Sequence, residues 1–322
     1  MLKLLIVKTS SLGDVIHNLP IISDIHAHYP NVQIDWLVEE SFADIPNLHP
    51  AVNQVITVAM RRWRKALFTC GTWQEIKRVK KQISATQYDV VLDTQGLLKS
   101  GLMASLANGI KHGYSKNSIR EPLASYFYDV KHEVSRAQHA VARNRALAAK
   151  ALDFTLPHSA PDYGITAKAI APVTLNQDFI IGLHGTSRDS KLWPTQHWVS
   201  LGNVLESQKL SLALPWASDA ELARAQHIAS QLKNAIVLPK STIAELASII
   251  CQAKAAIGVD TGLSHLAAAL NIPTIAIYTD TNPTLTGVCA GANMPAINLG
   301  NINQIPSVDE VMATLHSVLI KS

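Results

Sequence analysis

A short polar turn near residue 260 combines the residue types that hold an anion. It reads Asp260-Thr261-Gly262-Leu263-Ser264-His265 and lies between an apolar run ending at Val259 and an Ala- and Leu-rich helical pattern. A hydroxyl and a glycine at a helix start leave backbone N–H groups open, where the helix end favours negative charge. We therefore predict a phosphate-binding site within reach of Asp260 and His265. The alternative is a simple helix cap made by Asp260 or Thr261.

A second loop with phosphate-binding character follows the apolar run 179–183. It reads His184-Gly185-Thr186-Ser187-Arg188-Asp189-Ser190-Lys191-Leu192-Trp193-Pro194. Two hydroxyls and two cations beside a glycine suit a diphosphate, with Lys191 as a point charge, although the Gly-x-x-x-x-Gly-Lys-Ser/Thr pattern of a P-loop is absent. The two loops together predict a nucleotide diphosphate site. Glu221, after Leu214-Pro215-Trp216, is placed to bind ribose hydroxyls.

A third loop lies in the first half of the chain and reads Lys8-Thr9-Ser10-Ser11-Leu12-Gly13-Asp14. Gly13 permits a tight turn, and Asp14 begins a helical pattern, where a carboxylate also serves as a cap. Capping is one interpretation of Asp14. The other follows from the diphosphate site: a carboxylate facing it is placed as the general base for an acceptor hydroxyl.

The densest basic cluster is Arg61-Arg62-Trp63-Arg64-Lys65, on a predicted loop between a strand and a helix. Four cations around one indole suit an acceptor rich in carboxylates and phosphates. Nucleic-acid binding is the competing use, but no helix-turn-helix, zinc-finger or RNA-recognition signature accompanies the cluster. The cations at positions 77, 78, 80 and 81 have the spacing of a solvated helix face.

Alternating strand and helix patterns must position these loops. In the first half, strands are predicted at 2–7, 33–38, 55–58 and 90–92, with helices at 14–28, 73–86 and 97–107. After an irregular Pro-containing stretch at 156–161, strands are predicted at 179–183, 210–214, 236–238, 256–259 and 274–277, with helices at 195–207, 219–233, 242–253 and 262–270. This alternation predicts two successive parallel α/β domains, whose ligands bind beyond the carboxyl ends of the strands. We expect domains at 1–160 and 161–322, and a final helix at about 306–320 that could pack on either.

Composition is that of a globular protein with two cores. The chain has 322 residues, 48% hydrophobic and 16% charged, against a typical charged fraction of roughly 25%. Its three widely spaced cysteines favour neither a disulfide framework nor a zinc ribbon. The net charge of +4 permits an anionic partner. No segment predicts a membrane span, and the short apolar start is interpreted as a buried strand.

In this order, the loops resemble those of the lipopolysaccharide heptosyltransferases of glycosyltransferase family 9. The resemblance covers nearly the whole chain and also includes Asp35-Trp36-Leu37-Val38-Glu39-Glu40 and Arg120-Glu121-Pro122-Leu123-Ala124-Ser125. It is strongest with members that add the first heptose of the inner core. It implies an α/β GT-B fold: two Rossmann-like doubly wound parallel-sheet domains facing across a cleft, with the last helix returning to the N-terminal domain.

The resemblance also implies the substrates and the roles of single residues. The donor is ADP-L-glycero-β-D-manno-heptose, and the acceptor is the 5-hydroxyl of the first Kdo of Kdo2-lipid A, attacked with inversion while Asp14 takes its proton. No metal or other cofactor is required. The implied donor-binding residues are Thr186, Ser187, Lys191, Glu221, Asp260, Thr261, Gly262 and His265. The implied acceptor-binding residues are Ser10, Arg61, Arg62, Arg64, Lys65 and Arg120. The assignment of the five basic residues is supported by their charge as well as by the resemblance.

Two alternatives stay open at this point. A sibling enzyme that adds the second or a later heptose would use the same donor and differ in its acceptor. A non-catalytic nucleotide- or anion-binding module would use the same phosphate seats without a base. For the transferase, the lipid acceptor implies peripheral association with the cytoplasmic face of the inner membrane through basic and aromatic residues near 61–65. No nucleic-acid partner is expected.

Overall fold

Two compact α/β units make up the protein. The structure, a computed structural model, describes residues 1–167, 171–175 and 177–320. The chain divides into Met1–Gly164 and Ile165–Ser322, whereas the sequence placed the boundary after residue 160. Each unit contains one six-stranded sheet in which all strands pair in parallel.

The first unit is a doubly wound sheet with β1 and β4 at its centre. Its strands are β1 (Lys3–Val7), β2 (Gln33–Glu39), β3 (Val52–Val58), β4 (Gln87–Asp93), β5 (Asn108–Tyr114) and β6 (Val130–His132), in the spatial order 3-2-1-4-5-6. That order is typical of a dinucleotide-binding sheet, and its direction of winding reverses between β1 and β4. Strands β5 and β6 were not predicted, since their sequences, Asn-Gly-Ile-Lys-His-Gly-Tyr and Val-Lys-His, lack an apolar run.

Helices cover both faces of this sheet. They are α1 (Leu12–Ile16), α2 (Pro20–His28), α3 (Asp44–Asn47), α4 (Met60–Lys65), α5 (Cys70–Ser84), α6 (Leu98–Ser105) and α7 (Ala140–Leu152). The helix predicted over 14–28 is two helices, because Pro20 lacks an N–H group and starts a new helix at its first position. Residues of α5 and α6 share one core under β1–β4, so both helices lie on the same face of the sheet.

The second unit repeats this architecture. Its strands are β7 (Phe179–Leu183), β8 (Ser211–Leu214), β9 (Ala235–Val237), β10 (Ala255–Val259), β11 (Thr274–Tyr278) and β12 (Ala296–Gly300), in the order 12-11-10-7-8-9. Its helices are α8 (Thr195–Ser207), α9 (Asp219–Ala229), α10 (Ile243–Ile250), α11 (Gly262–Ala269) and α12 (Val308–Ile320). Strands β7 and β10 lie at the centre, and the winding reverses between them as it does between β1 and β4.

The last helix, α12, belongs to the core of the second unit. Its apolar residues Val311, Met312, Leu315 and Val318 are buried among residues of α8, β10 and β11. The indole of Trp193 donates a hydrogen bond to the Pro306 carbonyl, 2.9 Å away, and so ties the chain entering α12 to this unit. This packing differs from the return to the N-terminal domain that the resemblance implied, because the apolar face of the helix matches the second core.

None of the helices in the described ranges combines the length and the apolar content that crossing a bilayer requires.

Candidate functional site

In the second unit, the two loops with phosphate-binding character meet where the winding of the sheet reverses. Strands β7 and β10 pair in parallel, with Leu183 opposite Gly258, so their following loops leave the sheet side by side. The hydroxyl of Thr186 donates a hydrogen bond to the Asp260 carbonyl over 2.8 Å. The structure therefore brings together the two sequence-predicted donor loops, at the position where open α/β sheets bind ligands.

An ion pair joins these loops. The Lys191 ammonium lies 2.6 Å from Oδ2 of Asp260, and the two side chains are only 13% and 14% exposed. Asp260 therefore uses its carboxylate to hold Lys191 rather than to cap a helix. An ammonium group has three donors, so Lys191 keeps hydrogen-bonding capacity beyond this contact.

The start of α11 is arranged as an anion-binding site. Thr261 is its N-cap residue, but within the described part of the chain its side chain accepts no bond from the first turn of the helix. Gly262 and Leu263 then begin an eight-residue helix whose N-terminus lies beside the Lys191–Asp260 pair. A free helix N-terminus next to a fixed cation is suited to a phosphate group.

Buried contacts hold this turn in place. The Ser264 hydroxyl donates to the Val259 carbonyl over 2.8 Å, and both residues are fully buried. A methyl group at Gly258 would collide with that hydroxyl and with Leu183, so the close packing of turn against strand requires a glycine there. His265 is also buried, on α11.

Glu221 lies beside the first of these loops. Its Oε2 accepts hydrogen bonds from the backbone N–H groups of Ala217 (2.7 Å) and Ser218 (3.2 Å) and so caps the start of α9. Its other oxygen, Oε1, lies over Gly185, where a Cβ would come within 2.6 Å of it. Glu221 is thus both a cap and a neighbour of the β7 loop. Ser187, by contrast, is exposed and makes none of the contacts described above.

His184 is the first residue of the same loop, and its side chain is fully buried. Burial, reinforced by the nearby Arg224 guanidinium, lowers its pKa from 6.5 to about 4, and Glu221 opposes the change only in part. The ring is therefore neutral at physiological pH. Sequence analysis quoted this residue as part of the loop without giving it a role.

In the first unit, Asp14 lies at the corresponding place, beyond the end of β1. Its Oδ2 accepts hydrogen bonds from the Ser11 backbone N–H (3.0 Å) and the Ser11 hydroxyl (2.8 Å), at the start of α1. These contacts are those of a capping residue. They leave the carboxylate partly exposed, so the second interpretation, a general base, is compatible with the same position.

The loop after β4 and the first turn of α6 supply groups that sequence analysis missed. The Lys99 ammonium donates to the Ser10 hydroxyl over 3.0 Å, and the Gln95 side-chain oxygen accepts from the N–H groups of Thr9 (3.0 Å) and Ser10 (3.1 Å). Burial lowers the pKa of Lys99. In a parallel sheet, polar residues that follow a central strand face the ligand. This rule identified the loops after β1, β7 and β10, and it applies equally to the loop after β4.

Lys8 is a second residue that sequence analysis quoted without assigning a role. Its side chain is buried and donates to the Thr94 carbonyl over 3.1 Å. Burial lowers the pKa of Lys8, while the negative charges of Asp14 and Asp93 raise it. Lys8 thus places a buried amino group near Asp14.

The basic cluster at 61–65 is a helix rather than the predicted loop. The buried Glu39 carboxylate accepts from the backbone N–H groups of Met60 (3.2 Å) and Arg61 (3.0 Å) and so caps α4. Trp63 points into the core and donates its indole N–H to Glu75 over 2.7 Å. The four cations of this helix are exposed, whereas the indole among them is buried.

Arg62 is the cation of α4 that is already paired. Its guanidinium lies 3.0 Å from Glu40 and 3.0 Å from Glu75. An open cavity of about 350 Å³ lies beside it, lined by Glu39, Glu40, Ser41, Arg61, Arg62 and Lys65. Arg61 and Arg64 lie close enough to Lys99 to lower its pKa, and Arg120 acts in the same way on Lys8. Arg61 and Arg64 are thus within electrostatic range of Lys99, which binds the Ser10 hydroxyl.

Comparison with known proteins agrees with this geometry. Residues 76–316, well over half of the chain, match the profile of glycosyltransferase family 9 (heptosyltransferase). The chain belongs to glycosyltransferase family 9. The lipopolysaccharide heptosyltransferase 1 of Salmonella typhimurium is 43% identical over 308 residues, which are 94% of this chain and 97% of that protein.

Two solved structures are similar to this chain over nearly their whole length. "E. coli heptosyltransferase WaaC with ADP" matches with a TM-score of 0.90 and 40% identity, and "E. coli heptosyltransferase WaaC with ADP-2-deoxy-2-fluoro heptose" with 0.89 and 39%. Each match covers 98% of this chain and 99% of the other. The predicted α/β fold of GT-B type and the predicted glycosyltransferase class are confirmed.

We expect His184 to make stability of this family 9 protein depend on pH. Its pKa is about 4 in the folded protein against 6.5 in the unfolded chain, so the unfolded chain binds the proton first as pH falls. Stability is therefore retained above pH 6.5 and lost towards pH 4. The difference corresponds to about 3 kcal/mol in the free energy of unfolding.

Urea unfolding of the wild type and of His184→Asn over this pH range measures the effect. Other histidines titrate in both proteins and cancel in the difference. A difference between the two that stays constant with pH would contradict the buried neutral ring.

Proposed function

We propose that this protein is an inverting heptosyltransferase that moves L-glycero-D-manno-heptose from ADP-heptose to the 5-hydroxyl of the first Kdo of Kdo2-lipid A. The observation that carries the proposal is the Thr186–Lys191–Asp260 cluster at the start of α11. Its support is the likeness to a heptosyltransferase solved with ADP and with an ADP-heptose analogue. The 43% identity to a lipopolysaccharide heptosyltransferase 1 favours the first heptose over later ones.

On the donor side, the α11 N-terminus and Lys191 receive the diphosphate. Negative charge grows on the leaving ADP as the sugar–phosphate bond breaks, and prearranged donors at that place lower the barrier. Asp260 holds Lys191 in position through their ion pair. The Oε1 of Glu221, beside Gly185, then binds the ribose hydroxyls. Thr261, Gly262 and His265 also bind the donor. Ser187, in the exposed part of the β7 loop, is the remaining donor-binding residue.

On the acceptor side, Asp14 acts as the general base. It takes the proton of the Kdo hydroxyl as that oxygen attacks the anomeric carbon, and ADP leaves with the bonding electrons. A single displacement of this kind inverts the anomeric centre. Ser10 and the cations Arg61, Arg64, Lys65 and Arg120 bind the carboxylates and phosphates of the acceptor. Arg62, held by Glu40 and Glu75, orients α4 beside them.

The choice of acceptor tests the function directly. We expect the purified protein to transfer heptose from ADP-heptose to Kdo2-lipid A and not to its monoheptosylated form, with product detected by mass spectrometry. Turnover of the monoheptosylated acceptor alone would make the protein a sibling that adds a later heptose. Binding of ADP-heptose without any transfer would leave a nucleotide-binding module instead.

Replacement of Asp14 separates base catalysis from capping. We expect Asp14→Ala to lower kcat by about 10²-fold or more while ADP affinity is kept, because the base is lost and the groups that bind ADP are unchanged. Ser11→Ala is the matched control, since it removes the 2.8 Å hydroxyl contact to Asp14 but leaves the carboxylate. Equal losses of activity in the two variants would show that Asp14 is only a cap.

Replacement of Lys191 tests the diphosphate seat. We expect Lys191→Ala to weaken ADP binding by about tenfold or more, measured by calorimetry, because a charge-assisted contact in a partly buried site is lost. Lys254→Ala is the control, since that lysine forms an exposed ion pair with Asp178 at 3.4 Å in the same unit. Unchanged ADP affinity in Lys191→Ala would contradict the assignment.

A lipid-linked acceptor would place the reaction at the cytoplasmic face of the inner membrane. The exposed cations of α4 would bind anionic lipid headgroups there and so hold the protein at the membrane surface.

A further inference from the structure

A third loop of the second unit contacts the β7 loop (184–194). Strand β11 ends at Tyr278, and the polar run Thr279-Asp280-Thr281-Asn282, named here the β11 loop, follows it. The Thr279 hydroxyl donates a hydrogen bond to the Ser190 carbonyl over 2.8 Å. In return, the Ser190 hydroxyl donates to Oδ2 of Asp280 over 2.7 Å. The β11 loop thus holds Ser190 through both its backbone and its side chain.

These contacts carry the β7 loop across the end of a neighbouring strand. In the sheet, β10 lies between β7 and β11. The β7 loop binds the β10 loop through Lys191 and the β11 loop through Ser190, so it crosses the carboxyl end of β10. The end of β11 also lies near Asp260, because burial and then the charge of Asp260 raise the pKa of Tyr278. Three loops therefore meet around the Lys191–Asp260 ion pair.

The β11 loop is itself anchored at Thr279. This residue is only 7% exposed, so little water competes for the hydroxyl that binds Ser190. Its carbonyl accepts from the Asn303 N–H over 3.1 Å, which joins the β11 loop to the turn after β12. Asp280 is exposed and adds a second bond to Ser190 from the solvent side. The contact at Thr279 is therefore the firmer of the two.

Ser190 and Lys191 are neighbours in one 3₁₀ turn, Asp189–Lys191. Holding Ser190 therefore fixes the backbone from which the Lys191 side chain starts. A lysine side chain loses much rotamer freedom when it is ordered, and the ion pair with Asp260 fixes only its end. When both ends are fixed, the ammonium group needs less ordering as a ligand binds, which favours affinity.

We propose that the β11 loop is a third element of the donor site, in which Thr279 and Asp280 are positioning residues that act on the donor diphosphate through Ser190 and Lys191. Their contacts restrain the turn that carries the ammonium group, so they contribute to donor affinity. The inference rests on the diphosphate site of the proposed function and adds to it the residues that hold Lys191 in place.

Calorimetric titration with ADP tests the positioning role. We expect Thr279→Val to weaken ADP binding about fivefold, because it keeps a branched side chain and removes one hydrogen bond to the turn. Ser190→Ala removes the bond to Asp280 at an exposed site, where folding is little affected. The double variant Ser190→Ala/Thr279→Val should bind ADP about tenfold more weakly or worse. Thr279→Ser keeps the hydroxyl and should bind like the wild type.

Thr284→Val is the matched control. The Thr284 hydroxyl donates to the Asn282 side-chain oxygen over 2.6 Å, and this contact stays within the segment between β11 and β12. The variant should therefore bind ADP like the wild type. A loss as large as that of Thr279→Val would show that the segment supports only the general stability of the unit, and it would overturn the positioning role.

A double-mutant cycle with Lys191 separates positioning from a merely structural role. If the β11 loop acts through Lys191, Ser190→Ala/Thr279→Val should cause no further loss of ADP affinity in a protein that already carries Lys191→Ala. Equal losses with and without Lys191 would contradict the inference, because the β11 loop would then act on the donor by another route, such as direct contact.

The same cycle distinguishes this inference from the proposed function. Unchanged ADP affinity in Lys191→Ala would remove the diphosphate site, and the positioning role with it. Weaker ADP binding in Lys191→Ala together with wild-type binding in Ser190→Ala/Thr279→Val would leave the diphosphate site standing and sink the positioning role alone.

Discussion

The parallel pairing of β7 with β10 is the contact on which the candidate donor site of this protein depends. These strands follow each other in space but not in sequence, and the winding of the sheet reverses between them. Their loops therefore leave the sheet side by side, at the ordinary ligand site of such sheets. Thr186 and Lys191 come from one loop and Asp260 from the other. The first unit has the same reversal between β1 and β4, where the loops carrying Asp14 and Lys99 meet beside Ser10.

Near the two positions where the winding of the sheets reverses, lysine side chains make few contacts. Their ammonium groups therefore keep N–H donors that can bind a ligand. Lys191 has its ion pair with Asp260, and Lys99 has one hydrogen bond to the Ser10 hydroxyl. An ammonium group with three donors can bind a further anion without losing the contact that positions it. Arg62 differs, because two carboxylates engage its guanidinium. The contrast separates cations that can receive a ligand from one that stabilises the local structure.

Carboxylates show the complementary pattern, since many of them bind helix N-termini. Glu39, Glu221 and Asp14 each accept backbone N–H bonds at the start of a helix that follows a strand. Such caps fix where each helix begins and stabilise it by about 1 kcal/mol. The partial positive charge of each helix end also offsets part of the negative charge of these carboxylates. Capping and ligand binding are thus two uses of the same helix ends, and Glu221 stands at a place where both are possible.

The sequence alone determined the two α/β units, most of their strands and helices, and the loops that carry chemistry, because apolar periodicity and loop composition are local properties. The segments 179–183 and 195–207 were predicted with the bounds that the structure shows. The polar strand β5 was missed, since its stability comes from pairing with β4 and β6 rather than from its own residues. Tertiary structure alone decided that Asp260 pairs with Lys191, that Lys99 reaches Ser10, and that α4 is a helix capped by Glu39. These contacts join residues far apart in the chain, and their partners are set by strand order, which no local pattern encodes.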